Sequence, residues 1–465
     1  MEGRSSIGGV VSANTAAAGS PAGSSAGWEA RRRFLLPIIA PSILQGKSLA
    51  IISPMLPIFI RADLGGSDGA VGAVSSAYSL AQVCGALPLG LLLGSQPRYQ
   101  RSAALALLAA VAAAVACAAS SSIMALVVAR MASALAMVAW DMSRKVWVAK
   151  EVPKTVRGRV LATVSGFNKF ATMLALVLSG LIAETVSTRC VFLVQAGLSS
   201  AALASLLIGA ACASNSGPTG QGAPDAPAGA GRPGGARGAA GASAEADEGT
   251  CCSTLKRHWK VFLTTGVFCA SLNGIRIIWQ VLLPLKAYDL GLSKSTIGFI
   301  AAGCLLAEGC INLAFTGRLM DRLGRKAVGL PSLGLMACAY GTMPLVRGTG
   351  ALVLVSLVYS AGNGLSGGIV QAFNADVTPK QGQGQFLGLW KTVTVQGGLW
   401  FPALLGVASE VTGSLDAAAA MIALLTVLTA LWLAAVVRET APEVARGDAV
   451  VPLAAGNSPA APPGS

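Results

Sequence analysis

Apolar runs near 20 residues long recur from Phe34 to Val437, and the short stretches between them collect most of the charge. That alternation limits the chain more than any other feature. A bilayer core about 30 Å thick is crossed by about 20 helical residues. Lipid offers no partner to a bare backbone group, so an apolar run of that length is stable there as a helix. Helices are expected near 35–60, 69–93, 102–119, 123–149, 159–183 and 190–212, and again near 258–288, 295–316, 327–346, 351–375, 385–408 and 416–437. Twelve spans use roughly 240 residues, well within the 465 present. The expected class is an all-α membrane protein with twelve transmembrane helices in two pseudo-symmetric six-helix bundles. Only 12% of residues are charged, about half the share of a soluble domain. A compact soluble enzyme, a coiled coil, collagen and a secreted disulfide scaffold are all excluded.

Between the runs the chain divides further. Residues 1–33 are rich in Ala, Gly and Ser and end in Arg31, Arg32 and Arg33, which reads as a disordered tail, with an organelle transit peptide as the other reading. The first bundle covers 34–212, a Gly/Ala/Pro-rich flexible linker 213–255, the second bundle 256–438, and a second disordered tail 439–465. If the N-terminus is cytoplasmic, three tail arginines and sixteen loop cations lie on the inner side against five on the outer. The positive-inside rule then places both termini and the linker in the cytoplasm. It also explains the net charge of +14 without a nucleic-acid partner. Ten cysteines form no CxxC pair, and His258 is the only histidine. No metal, catalytic centre or cofactor is expected.

The two halves repeat. Glu151-Val-Pro…Arg157-Gly158-Arg159-Val-Leu matches Asp376-Val-Thr-Pro…Gln383-Gly384-Gln385-Phe-Leu, with Gly158 and Gly384 226 positions apart. Gly90 and Arg98 match Gly317 and Arg325 at an offset of 227. Two independent loops with nearly one offset indicate a duplicated six-helix unit, arranged as parallel repeats about an axis along the membrane normal.

The loop between the eighth and ninth helices, Gly317-Arg-Leu-Met-Asp321-Arg322-Leu-Gly324-Arg325-Lys326, resembles the signature Gly-x-x-x-Asp-Arg-x-Gly-Arg-Lys of the major facilitator superfamily at every fixed position. The resemblance covers about residues 34–438. Pro54-Met-Leu-Pro57, Asp63-Leu-Gly and Ser76-Ala-Tyr78-Ser-Leu-Ala-Gln82 are similar to the drug:proton antiporter branch, and Arg130 is what survives of that branch's fourth-helix pattern. The antiporter glycine–proline motif is absent from Ala171–Gly180; a partial echo, Gly397…Pro402…Gly406, lies in the eleventh helix. The resemblance implies a secondary active transporter of a small organic solute, working by alternating access and coupled to an ion or solute gradient. No phosphate-binding loop for ATP is present. The competing reading is a transporter-like receptor or scaffold that no longer transports.

Within the loop motif, Gly317 and Gly324 permit tight turns, and Asp321 is placed to face a helix N-terminus. Arg322 and Arg325 are placed to pair with Asp376 at the inner end of the tenth helix. Together these residues read as a conformational latch that holds while the cytoplasmic side is closed.

Charge inside a bilayer is costly, about 2.5–3.5 kcal/mol even on lenient scales. Lys47, Arg130, Lys169, Arg276, Glu308 and Lys391 lie within apolar runs; Lys169 and Lys391 are near enough to the inner end to snorkel. Lys47 and Asn273 are repeat-related, with Arg276 one turn beyond, and Glu308 corresponds to Gln82. A central substrate cavity of Lys47, Gln82, Asn273, Arg276 and Glu308 is expected, with Glu308 and Arg130 as candidates for proton coupling. The deep charges of Lys47, Arg276 and Glu308 sum to +1, which favours an organic anion over a drug-like compound. The alternative for Glu308 is a fixed ion pair with Arg276.

Overall fold

The computed structural model describes residues 39–94, 99–151, 154–215, 251–379 and 383–439. They form twelve helical rods. The first bundle comprises α1 (Ala40–Asp63), α2 (Asp68–Gly94), α3 (Tyr99–Ala119), α4 (Ile123–Glu151), α5 (Lys154–Thr185) and α6 (Thr188–Asn215). The second comprises α7 (Cys251–Asp289), α8 (Lys294–Leu323), α9 (Arg325–Thr342), α10 (Thr349–Val377), α11 (Gln383–Thr412) and α12 (Leu415–Ala435). Nine spans among the described residues are long and apolar enough to cross a membrane. Residues 1–38, 216–250 and 440–465, which hold most of the expected tails and linker, lie outside the described residues.

Alternate turns fall at the two ends of the bundles. The linker end carries residues 215 and 251; the far end carries the turns α1–α2, α3–α4, α5–α6 and their counterparts. At the far end the duplication extends beyond the loops that disclosed it. Asp63-Leu-Gly65 closes α1 and Asp289-Leu-Gly291 closes α7, again 226 positions apart. Gly65 and Gly291 adopt φ of 64° and 72°, the left-handed conformation that ends a helix without a Cβ penalty. Ser67 and Ser293 then cap the next helices, accepting from Ala70 N and Thr296 N at 3.3 Å each.

The bundles meet where α2 crosses α11 and α5 crosses α8. Glycines let the backbones touch. A Cβ on Gly298 would stand 2.7 Å from the Leu176 carbonyl oxygen and 3.0 Å from Gly180 Cα. One on Gly72 would run into the Pro402 carbonyl and stand 3.1 Å from Gly406 Cα. Gly72 corresponds to Gly298 and Gly180 to Gly406, each at 226, so the two crossings are one crossing made twice.

Acids complete the closure symmetrically. Glu184, at the end of α5, accepts from Ser295 N at the start of α8 at 3.1 Å. Its repeat partner Glu410, at the end of α11, accepts from Ser67 Oγ at the start of α2. Each carboxylate thus sits at a helix N-terminus of the opposite bundle, where a negative charge is favoured by about 0.3–1 kcal/mol. Arg61 pairs with Asp289 across the interface at 2.8 Å, and Ser409 Oγ donates to Asp68 at 2.7 Å.

Candidate functional site

Between the bundles lies a cavity of about 430 Å³. Its walls come from α1 (Ser53, Pro54), α5 (Thr172), α7 (Asn273, Arg276, Trp279, Gln280), α8 (Glu308) and α10 (Tyr359, Asn363). A neighbouring cavity of about 310 Å³ leans toward the first bundle and is lined by Tyr78, Gln82 and Arg130 among others. The two share Ala50, Ser53, Ile277 and Gln280. Ser53 Oγ donates to Gln280 Oε1 at 2.9 Å, and Gln280 is one residue beyond Trp279, the repeat counterpart of Ser53. Near-equivalent residues of the two halves touch beside the axis that relates them, so the pseudo-two-fold axis runs between the cavities.

Arg276 is positioned by a break in α10. That rod is helical over Thr349–Leu365 and Ile369–Val377, with a turn at Ser366, Gly367 and Gly368 between the pieces. Across the break Ser366 O accepts from Ile369 N at 3.0 Å in a tight turn, which leaves its second lone pair turned toward α7. Arg276 Nη2 donates to Ser366 O at 2.7 Å and to Ser366 Oγ at 2.9 Å. The guanidinium therefore sits at a helix C-terminus, which carries partial negative charge. Its Nε is buried without a hydrogen-bond partner.

This goes against the alternative of a fixed Arg276–Glu308 ion pair. Among the described residues no ion pair joins Arg276 to Glu308. The broken helix already supplies Arg276 with acceptors, so the arginine needs no carboxylate to be buried. Glu308 lines the same cavity and accepts from Asn363 Nδ2 at 2.7 Å. On the same rod as Asn363, Gly364 serves close packing, since a Cβ there would lie 2.9 Å from the Glu308 carbonyl oxygen.

The remaining expected residues divide. Asn273 lines the larger cavity and is tied to α11 by a bond from its Nδ2 to Thr394 O at 3.1 Å. Gln82 lines the smaller one. Lys47 falls on α1, but its side chain lies outside the described residues. Lys169 and Lys391 are exposed. Arg130 is 6% exposed, and its guanidinium carbon lies 4.3 Å from the centroid of the Tyr78 ring.

Trp279 and Tyr359, which no motif in the sequence marks, meet at the cavity wall. The two rings stack at 3.9 Å with 4° between planes and form one wall of the larger cavity.

At the linker end, Arg325 Nε binds Asp376 Oδ2 at 3.1 Å inside the second bundle, so this pair does not wait for the linker end to close, as the latch reading expects it to. Gly324 has φ of 91° and starts α9. The exposed backbone donors of that helix are met by Glu439, which accepts from Arg325 N at 3.0 Å and Lys326 N at 2.9 Å. Gly317 and Arg322 are exposed. The side chain of Asp321 lies outside the described residues.

Comparison with known proteins agrees with the internal repeat. A sequence profile of the Major Facilitator Superfamily matches residues 42–285 and again residues 263–461. Synaptic vesicle glycoprotein 2B of Mus musculus is 28% identical over 155 residues, 33% of this chain and 22% of that protein. The match thus spans about a fifth of that relative's length. Among solved structures, the nucleoside transporter NupG superposes with a TM-score of 0.66 at 13% identity, covering 87% of this chain and 98% of that one. The D-xylose-proton symporter gives 0.64 at 15%, covering 88% and 98%. A bacterial homolog of the human lysosomal transporter Spinster, in an inward-facing and unoccupied conformation, gives 0.61 at 12%, covering 87% and 95%. At these identities the likeness is one of fold.

Proposed function

The chain belongs to the major facilitator superfamily, and from that premise we propose that it is a secondary transporter that carries a small organic anion through the membrane by alternating access. The observation that carries this reading is Arg276. It is fixed to a broken helix on one side, has an unpartnered Nε, and faces a cavity shared by both bundles. A guanidinium held this way presents a planar fork suited to carboxylate or phosphate. Lys47 on α1 adds a second cation from the opposite bundle. Asn273 and Gln82 supply neutral hydrogen bonds.

Glu308 is the proton-coupling residue in this reading. Among the described residues no lysine or arginine forms an ion pair with it, and it hydrogen-bonds to Asn363 on the neighbouring rod. Arginine stays charged throughout, so Arg130 acts on coupling only through its field. With the linker and both termini cytoplasmic, the far end faces the opposite compartment, and the glycine crossings and paired acids describe an inward-facing state. The Arg325–Asp376 pair is already formed inside the second bundle in this state and braces it; Gly317, Asp321, Arg322 and Gly324 of the same loop are the latch that engages the first bundle when the linker end closes. Protease added to inside-out vesicles is expected to cut residues 213–255; cleavage only from the other face reverses the orientation.

Uptake by the purified protein in proteoliposomes tests the substrate class. Carboxylates or phosphates are expected to enter. Arg276→Lys is expected to slow them far beyond what loss of charge explains, because the charge is retained and only the fork is lost. Uptake of organic cations with none of carboxylates or phosphates refutes the anion reading.

A further inference from the structure

We propose that Arg130 is the centre of a second anion-binding subsite, so that the transported solute carries two acidic groups, one for each bundle. This rests on the anion reading of Arg276 above and extends it to the smaller cavity.

Arg130 is more than nine-tenths buried, and two of its three guanidinium nitrogens, Nε and Nη1, are buried without a hydrogen-bond partner. Among the described residues no carboxylate pairs with it. Arg276 shows how this fold satisfies an arginine that must stay buried: a carbonyl and a hydroxyl are delivered to one nitrogen by a helix break. Among the described residues nothing comparable reaches Nε or Nη1 of Arg130. The Tyr78 ring fixes the guanidinium plane and gains little beside the cost of an unpaired buried charge. A structural arginine left so would be strongly destabilising. One lining a cavity of about 310 Å³ is completed by what enters that cavity. Tyr78, Gln82, Ser75 and Ser79 line it beside the guanidinium, and they supply donors for the remaining lone pairs of a carboxylate or phosphate.

The arrangement also sets the number of acidic groups. The two cavities meet at Ser53, Ile277 and Gln280, so one solute can reach from Arg276 to Arg130 across the pseudo-axis. Their described charged side chains are Arg130, Arg276 and Glu308. When Glu308 holds a proton, two cations stand without counter-charge, one in each cavity. A solute with an acid at each end balances both.

The test is equilibrium binding to the purified full chain with matched probes: succinate, glutarate and adipate, each against its own monoamide, which keeps the length and removes one acid. The wild type is expected to prefer the diacid of the fitting length by about 10- to 100-fold, the value of hydrogen bonds to a charged group. Arg130→Gln is expected to abolish that preference while monoamide binding persists, and Arg130→Lys to keep only part of it. Thermal unfolding of each variant separates misfolding from lost recognition, and the wild-type comparison stands whether or not a variant folds. If diacid and monoamide bind the wild type equally, the second subsite is wrong. If Arg276→Gln weakens binding but Arg130→Gln leaves the diacid preference intact, the second subsite fails and the anion reading survives. If no probe binds the wild type, both fail.

Discussion

Substituting alanine for Gly298 isolates the far-end closure from everything else in the protein. The new Cβ stands 2.7 Å from the Leu176 carbonyl oxygen and 3.0 Å from Gly180 Cα. Both obstacles are backbone, so no side chain can swing away, and α5 and α8 must part by several tenths of an ångström. Overpacking of this kind costs typically about 1–3 kcal/mol. In alternating access that cost falls on the far-end-closed state alone, because the two helices separate there when the other state forms. A differential of about 1–3 kcal/mol shifts the two-state ratio about 5- to 150-fold. Spin labels introduced as unnatural amino acids at Ser121 and Arg347, on far-end turns of the two bundles, read the separation by pulsed dipolar spectroscopy. The distance distribution is expected to move to longer values in Gly298→Ala, and in its repeat counterpart Gly72→Ala, which meets the Pro402 carbonyl. Gly334→Ala is the control, since nothing lies within 4 Å of its Cβ. If Gly298→Ala folds normally and its distances overlay the wild type, the reasoning that the glycine crossings are the closure is refuted.

Glu184→Gln combined with Glu410→Gln removes both acids from the opposing helix N-termini; the same distance measurement is expected to show a shift to the far-end-open state that grows weaker as salt is raised in the wild type. Glu439→Ala strips α9 of its cap at Arg325 N and Lys326 N and is expected to lower stability by about 1 kcal/mol in thermal unfolding, a typical capping loss. Asp321→Asn is expected to slow transport at unchanged membrane insertion; equal turnover at matched protein levels removes the latch.

Much of the architecture is legible because membrane burial writes itself into composition and because the duplication leaves a fixed offset. The same 226-residue spacing that aligns Gly158 with Gly384 also relates Gly72 to Gly298, Gly180 to Gly406 and Glu184 to Glu410. Those pairs are silent in the sequence, since glycines inside apolar runs carry no distinct signal until the helices are seen to cross. The site reads less well. Counting charged side chains leaves an Arg276–Glu308 pair open as the alternative, because a count of side chains is blind to backbone carbonyls. The acceptor is Ser366 O, turned toward α7 at a break that reads in the sequence as a run of small residues. Glu439 reads as part of a tail because it follows the last apolar run, although the fold brings it to the start of α9. Arg130 stands out in the sequence as a charge within an apolar run and the remnant of a motif, but its missing partners are visible only in three dimensions.

The duplication is kept and abandoned in different places, and the division has a physical sense. At the far end the glycine crossings, the positive-φ glycines and the capping acids match between halves. Two bundles that rock about a shared axis need equivalent contacts on both sides of it, or closure would twist one bundle against the other. In the cavities the halves diverge: Gln82 stands where the other half has Glu308, and Lys47 where it has Asn273. A symmetric cavity would recognise the two ends of a solute identically and would hold two proton sites or none. Here the titratable carboxylate is on the second-bundle side only, beside the arginine that a broken helix has already satisfied on one nitrogen. In the proposed mechanism, symmetry in the closure with asymmetry in the site is the combination that lets one proton and one solute be counted together on a scaffold whose two halves move alike.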